Sequence, residues 1–285
     1  MTGGEFMKKF TWLLCGMLAL ALSGCGVQQA AAKNDSTISI AGSTAMQPLL
    51  KAAAKAQKNT ITINGGGSAA GLNAVATDKV TIGAADMFAE NSDTPAAKLV
   101  DHQIAVVGIT PIVNPEVGVS NLTSAQLKAI FSGKLTNWQQ LGGKAMPIKL
   151  LIREAGSGTR TAFEALALRG VQGIQGKVLN STHAMVTQVK NTPGAIGYVA
   201  FSGLQAGVRP LLLDGVNPTE ANVQTNKWPL WAYEHLYTNG APSATVAKFI
   251  HRVQTDDAQI KRLGYIPTST MQVARTHDGQ IEDTH

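Results

Sequence analysis

Thr37-Ile38-Ser39-Ile40-Ala41-Gly42-Ser43-Thr44-Ala45-Met46-Gln47-Pro48-Leu49-Leu50 reads as a β-branched run, a Gly/Ser/Thr cluster and the start of a helix. Ile38 and Ile40 alternate with polar neighbours, the period of a strand. Helical spacing then takes over: Met46, Leu49, Leu50 and Ala53 recur in a segment that runs on to Gln57, and Pro48 falls in the first turn, where its missing N–H is not needed. The same plan returns twice. Thr60 to Ile63 leads through Gly65-Gly66-Gly67-Ser68 into Ala69 to Thr77, and Ile148 to Ile152 leads through Gly156-Ser157-Gly158-Thr159 into Arg160 to Leu168. Repetition of strand, turn and helix predicts an α/β protein with a largely parallel sheet, in which ligands bind beside helix N-termini at the carboxyl ends of strands.

The three turns share a chemistry. The first turn of a helix leaves backbone N–H groups without intrahelical partners, and the macrodipole places about half a positive charge there. Glycine lets the backbone approach a ligand closely, while Ser and Thr hydroxyls cap the helix or donate to an oxygen. Each cluster alone is an ordinary cap. Three of them, one with Arg153 four residues ahead of Ser157, point to an anion.

Composition narrows the alternatives. The 285 residues include 44% hydrophobic side chains, enough for a sizeable core in one large domain or two ordinary ones. Cys15 and Cys25 are the two cysteines, so no disulfide or thiolate metal site can form later in the chain. The excess of 24 Lys+Arg over 18 Asp+Glu is dispersed with few aromatics among it, unlike a nucleic-acid stacking platform. G-x-x-x-x-G-K-[ST], G-x-S-x-G and H-E-x-x-H are absent, and Gly65, Gly67 and Gly71 miss the G-x-G-x-x-G register by one residue. The histidines have no ligand-like spacing, so neither a metal, a cofactor nor an enzyme is expected.

At the N-terminus, Lys8 and Lys9 precede an apolar run from Phe10 to Leu22, the pattern of a secretory signal over residues 1–24. Leu22-Ser23-Gly24-Cys25 resembles the lipobox of bacterial lipoproteins, in which the cysteine is lipid-modified; the alternative is an ordinary cleaved signal ending near a cysteine. Residues 25–35 are small and polar and read as a flexible tether.

Further matches sharpen the picture: Ala41 to Leu49, Gly65 to Ser68, Leu122-Thr123 through Ile130-Phe131-Ser132-Gly133 to Thr136-Asn137-Trp138, and Arg153 to Arg160, supported by Ile82-Gly83-Ala84-Ala85-Asp86 and Gly194 to Tyr198. Together these segments resemble the phosphate-binding proteins (PstS type) of bacterial phosphate ABC transporters, over nearly everything from Ser36 to about Gly264. The resemblance implies a two-lobed, periplasmic-binding-protein-like (type II) α/β fold, hinged around a cleft that closes on one inorganic phosphate. It further implies delivery to the transmembrane permease subunits of the transporter, outside the cytoplasmic membrane, by a monomer anchored through the lipid on Cys25, with no nucleic-acid partner. Carried over position by position, it assigns Ser43, Thr44 and the Ala45 backbone to the first helix N-terminus and Ser68 to the second. Asp86 follows from the Ile-Gly-x-x-Asp segment, and Arg153, Ser157, Gly158 and Thr159 come from the second lobe.

The residue types fit those roles. Arg153 offers a planar, permanently charged fork for a tetrahedral oxyanion. Asp86, read as more than a turn aspartate, is an acceptor only. It therefore favours an oxyanion that still carries a proton, as phosphate does near neutrality (phosphomonoesters have a second pKa of about 6) and sulfate does not. Ala85 stands where the family commonly has Ser, and Ala69-Ala70 where a Gly often follows the Gly-rich serine. Arg160 is either a second ligand or the i+4 partner of Glu164, the latter being favoured. Other readings are a binding protein for sulfate, molybdate or tungstate, or a phosphatase on the same scaffold.

Pro111 and Pro115 suggest one crossover between lobes and Val223 to Trp228 another, giving lobe 1 as 36–110 plus 228–285 and lobe 2 as 111–227. Trp231, Tyr233 and Tyr237 are then expected back in the first lobe. Trp138, Trp228 and Trp231 are expected in cores, and the tail from Met271 to His285 is expected to be mobile.

Overall fold

The computed structural model describes residues 37–57, 59–173 and 175–284; the signal, the tether and Cys25 lie outside the described residues. The first two repeats fold as expected: β1 (Thr37–Gly42), α1 (Gln47–Lys55), β2 (Thr60–Asn64), α2 (Ser68–Ala76), followed by β3 (Ile82–Ala85). Then come β4 (Leu99–Val113), β5 (Asn121–Leu122), α3 (Ser124–Phe131), β6 (Lys149–Arg153), α4 (Gly158–Phe163), β7 (Lys177–Leu179), α5 (Thr182–Lys190) and β8 (Ala195–Ala200). The remainder is β9 (Arg209–Pro210), β10 (Leu212–Leu213), α6 (Glu220–Gln224), β11 (Trp231–Asn239), α7 (Ala244–Thr255), α8 (Asp257–Arg262), β12 (Val273–Arg275) and β13 (Ile281–Asp283).

Among the described residues the main sheet runs β2-β1-β3-β11-β4-β8-β6-β7, with β9 beside β4. Its two flanks are parallel, since β1 pairs in parallel with β2 and β3, and β6 with β7 and β8. The centre departs from the largely parallel expectation: β11 lies antiparallel to both β3 and β4, and β4 antiparallel to β8. Antiparallel neighbours of this kind require no βαβ crossover between them.

Strand β4 runs 15 residues, straight through Pro111 where a break is expected. Its first part pairs with β11 as far as Gly108, and its end, Ile109–Val113, pairs with β8. Proline lacks an N–H to donate, and Pro111 lies beyond the point where β11 has ended, so the strand tolerates it.

Separate clusters of buried side chains pack on the two flanks of the sheet. Ile38, Ile40, Leu49, Leu50, Phe249 and Ile250 join α1 and α7 to the first flank. Phe131, Trp138, Phe163, Tyr198 and Trp228 fill the second. Each such side chain fully buried contributes roughly 1.5–3 kcal/mol. Trp138, Trp228 and Trp231 are fully buried, as expected of core tryptophans. Trp231 and Tyr233 pack in the cluster that holds Phe163 and Trp228, whereas Tyr237 packs with Leu72 and Val75.

The tail carries secondary structure as far as Asp283. β12 and β13 form a hairpin, Met271 and Val273 are buried, and the Arg275 guanidinium lies 4.3 Å over the Trp231 ring. Alternating Val273 and Arg275 give this polar tail an apolar anchor and a cation–π contact.

Candidate functional site

The three repeated turns converge. Gly42 has φ +136°, and a Cβ there would stand 2.0 Å from the Ala84 carbonyl oxygen, so only glycine lets β1 pass this close to β3. The chain then turns into α1. Ser43 donates its N–H to the Ala84 carbonyl at 2.8 Å, and its Oγ accepts from Ala45 N at 3.1 Å and Met46 N at 3.4 Å. Ser43 thus closes the turn that leads into α1. Thr44 points elsewhere: its Oγ1 lies 3.3 Å from Thr182 Oγ1, accepts from Thr182 N at 3.2 Å, and accepts from an Arg153 terminal nitrogen at 3.4 Å.

Gly67, at φ +86°, precedes α2 and places the fully buried Ser68 as its first residue. Ser68 Oγ donates to Asp86 Oδ1 and accepts from Asp86 N at 3.1 Å. The other Asp86 oxygen, Oδ2, accepts the Thr159 hydroxyl at 2.5 Å. Asp86 comes just after β3, and Thr159 sits in the first turn of α4, whose N-cap Ser157 accepts from Arg160 N at 3.3 Å. Gly158 packs directly on this group, since a Cβ there would lie 2.4 Å from Ser68 Oγ and 2.5 Å from Asp86 Oδ1. The Gly156 carbonyl accepts from Ala69 N at 3.0 Å, so the second and third turns are hydrogen-bonded to one another.

Arg153 ends β6 and is 2% exposed. Its Nε donates to the Leu179 carbonyl at 3.2 Å and its N–H to the Tyr198 hydroxyl at 3.1 Å. Burial lowers its guanidinium from the ordinary value, opposed by the negative charge of Asp86. Burial pushes the Tyr198 hydroxyl up to about 12, leaving it neutral and free to accept from Arg153. Arg160 pairs with Glu164 at 2.7 Å, the i+4 contact its spacing suggests.

The structure therefore brings Ser43, Thr44, Ala45, Ser68, Asp86, Arg153, Ser157, Gly158 and Thr159 into one neighbourhood where hydroxyls, one cation and one carboxylate meet between three helix starts. A buried cation with short donors suits a compact, multivalent anion, and a carboxylate whose oxygens each hold two lone pairs keeps acceptor capacity beyond the two hydroxyls it binds. Thr182 belongs to this group and was not singled out by the turns, although Ser181-Thr182 ahead of a helical run is the same kind of cap. Glu234 is the second omission. It is fully buried on β11 and its carboxyl oxygens have no hydrogen-bond partner among the described residues. Burial, with Asp86 adding to it, holds this carboxyl well above the ordinary range. A lone glutamate inside a strand gives no sequence signal of such burial.

Fold and site together define a two-lobed solute-binding protein of the periplasmic-binding class, and a model of the PBP superfamily domain matches residues 27–256. The phosphate-binding protein PstS of Bacillus subtilis (strain 168) is 42% identical over 258 residues, spanning 87% of this chain and 86% of that one. A putative phosphate ABC transporter substrate-binding protein from Clostridium perfringens, solved with bound phosphate, superposes with TM-score 0.74 at 28% identity, covering 81% of this chain and 99% of that one. An ABC-type phosphate transport receptor from Vibrio cholerae gives TM-score 0.62 at 27% identity, with 80% and 99% covered. The chain belongs to the PstS family of phosphate-binding proteins.

Proposed function

We propose that this protein binds inorganic phosphate outside the cytoplasmic membrane and delivers it to the permease subunits of an ABC transporter for import. The observation that carries the reading is the burial of Arg153 and Asp86, both 2% exposed, among the Ser68, Thr159 and Thr44 hydroxyls. Arg153 supplies the charge that attracts the anion, Ser43, Thr44, Ser68, Ser157 and Thr159 supply hydroxyls, and Gly158 and Ala45 supply backbone at helix starts. The Ala45 N–H is shared with Ser43 Oγ, as bifurcated bonds at helix termini commonly are. Asp86 selects the protonated oxyanion. In this reading lobe 1 comprises 36–110 and 228–285 and lobe 2 comprises 111–227, hinged at β4 and β11, and the protein acts as a monomeric carrier and not an enzyme. Cys25 carries the lipid that holds it at the cell surface.

Parallel calorimetric titrations with phosphate and sulfate test the proposal. Phosphate is expected to bind and sulfate to bind at least tenfold more weakly, the equivalent of about 1.4 kcal/mol or more. Equal affinities would reject it.

A further inference from the structure

Arg153 is anchored through its main chain as well as its guanidinium. Tyr198 takes its N–H at 3.1 Å, and on the other side of the same Cα its carbonyl accepts from Arg160 Nη1 at 2.8 Å. The same Arg160 fork donates through Nε to Glu164 Oε1 at 2.7 Å. Glu164 opens a π-helical turn, Glu164–Leu168, that continues directly from α4. The Arg160 contact reaches back seven positions, so the segment from Arg153 to Arg160, which contains Ser157, Gly158 and Thr159, is closed into a ring. One donor set thus joins the end of β6, which bears the buried cation, to the helix whose first turn bears the hydroxyls.

Stability alone gives a poor account of this pair. The side chains of Arg160 and Glu164 are 29% and 42% exposed, and pairs this accessible contribute about 0–1 kcal/mol. Two of the five guanidinium donors, on Nε and Nη1, are spent on Glu164 and the Arg153 carbonyl, which fixes the orientation of the fork on its own segment. What the contacts require is two donors at a fixed angle, which a guanidinium has and an ammonium lacks.

We infer that Arg160 is a positioning residue of the anion site: its fork, braced by Glu164, fixes the Arg153 main chain against the Ser157–Thr159 turn and so aims the Arg153 guanidinium. The inference rests on the proposed phosphate site.

Calorimetric titration of the full chain with inorganic phosphate tests it. Arg160→Ala is expected to weaken binding on the order of tenfold, the scale of one hydrogen bond to a charged group. Arg160→Lys, which restores the charge without the fork, is expected to stay weak. Added to Arg153→Lys, which has no fork to aim, Arg160→Ala is expected to cost nothing further. Glu164→Gln, at an accessible position, is expected to lose about threefold with an unchanged melting midpoint, and it carries the test if Arg160→Ala does not fold. Wild-type affinity in Arg160→Ala or Glu164→Gln, full recovery in Arg160→Lys, or the same loss on the Arg153→Lys background would each overturn the inference. Unchanged phosphate affinity in Arg153→Lys itself would instead overturn the reading of the site, and this inference with it.

Discussion

The Asp86 carboxylate accepts the Thr159 hydroxyl across 73 positions of sequence, joining the end of β3 to the first turn of α4. Its other oxygen is held by Ser68, the first residue of α2, so its orientation is set from two helix starts. A carboxylate held this way presents acceptors at a fixed place, which is what selection by ligand protonation demands.

Asp86→Asn keeps the shape and replaces a pure acceptor by a group that also donates. Sulfate affinity should then rise relative to phosphate by about 1 to 3 kcal/mol, the cost of an unmatched buried polar group. Competition of sulfate against phosphate in a calorimetric titration measures this, and an unchanged ratio would remove Asp86 from its selective role.

Gly158 leaves no room for a side chain beside Ser68 and Asp86. Gly158→Ala should cost about 1 to 3 kcal/mol in stability, as overpacking does elsewhere. It should also weaken phosphate binding, because the atoms displaced are those of the site. Urea denaturation and phosphate titration of one preparation check both effects.

Thr44, in the turn ahead of α1, contacts Arg153 at the end of β6 and Thr182 at the start of α5. Thr44→Val preserves volume and loses the oxygen, leaving Thr182 N without this partner. Phosphate binding should weaken by about 1 kcal/mol, read as a calorimetric affinity. An identical affinity would show that the hydroxyl contributes nothing to the proposed site.

Glu234 predicts a dependence on pH. Its folded-state pKa is raised by burial and by Asp86, so the folded chain keeps a proton that the unfolded chain releases above its ordinary value of 4.5. Its contribution to stability is complete below that value and declines as pH rises towards the folded pKa. Glu234→Gln removes the linkage. The variant should match wild type near about pH 4 and gain on it by up to ~1.4 kcal/mol per pH unit above, measured by denaturant unfolding across that range. A gain independent of pH would mean that Glu234 is not neutral in the fold.

The three strand–turn–helix units, their buried faces and most of the residues proposed for the anion site were legible in the chain, because hydrophobic period and Gly/Ser/Thr turns are local properties. Ile38, Ile40, Leu49 and Leu50 show their burial in their spacing, and Gly42, Ser43 and Ser68 show their turns in their chemistry. Long-range pairing was not local. That β4 runs through Pro111 depends on where β11 stops, that Trp231 packs in the cluster with Phe163 and Trp228 depends on where β11 lies, and that the tail folds depends on the Trp231 ring beneath Arg275. The sequence by itself determined which residues are suited to hold an oxyanion. Only the tertiary structure decided that Asp86 is gripped by Ser68 and Thr159, that Thr182 meets Thr44, and that Glu234 is buried with no hydrogen-bond partner among the described residues, since each depends on segments brought together by packing.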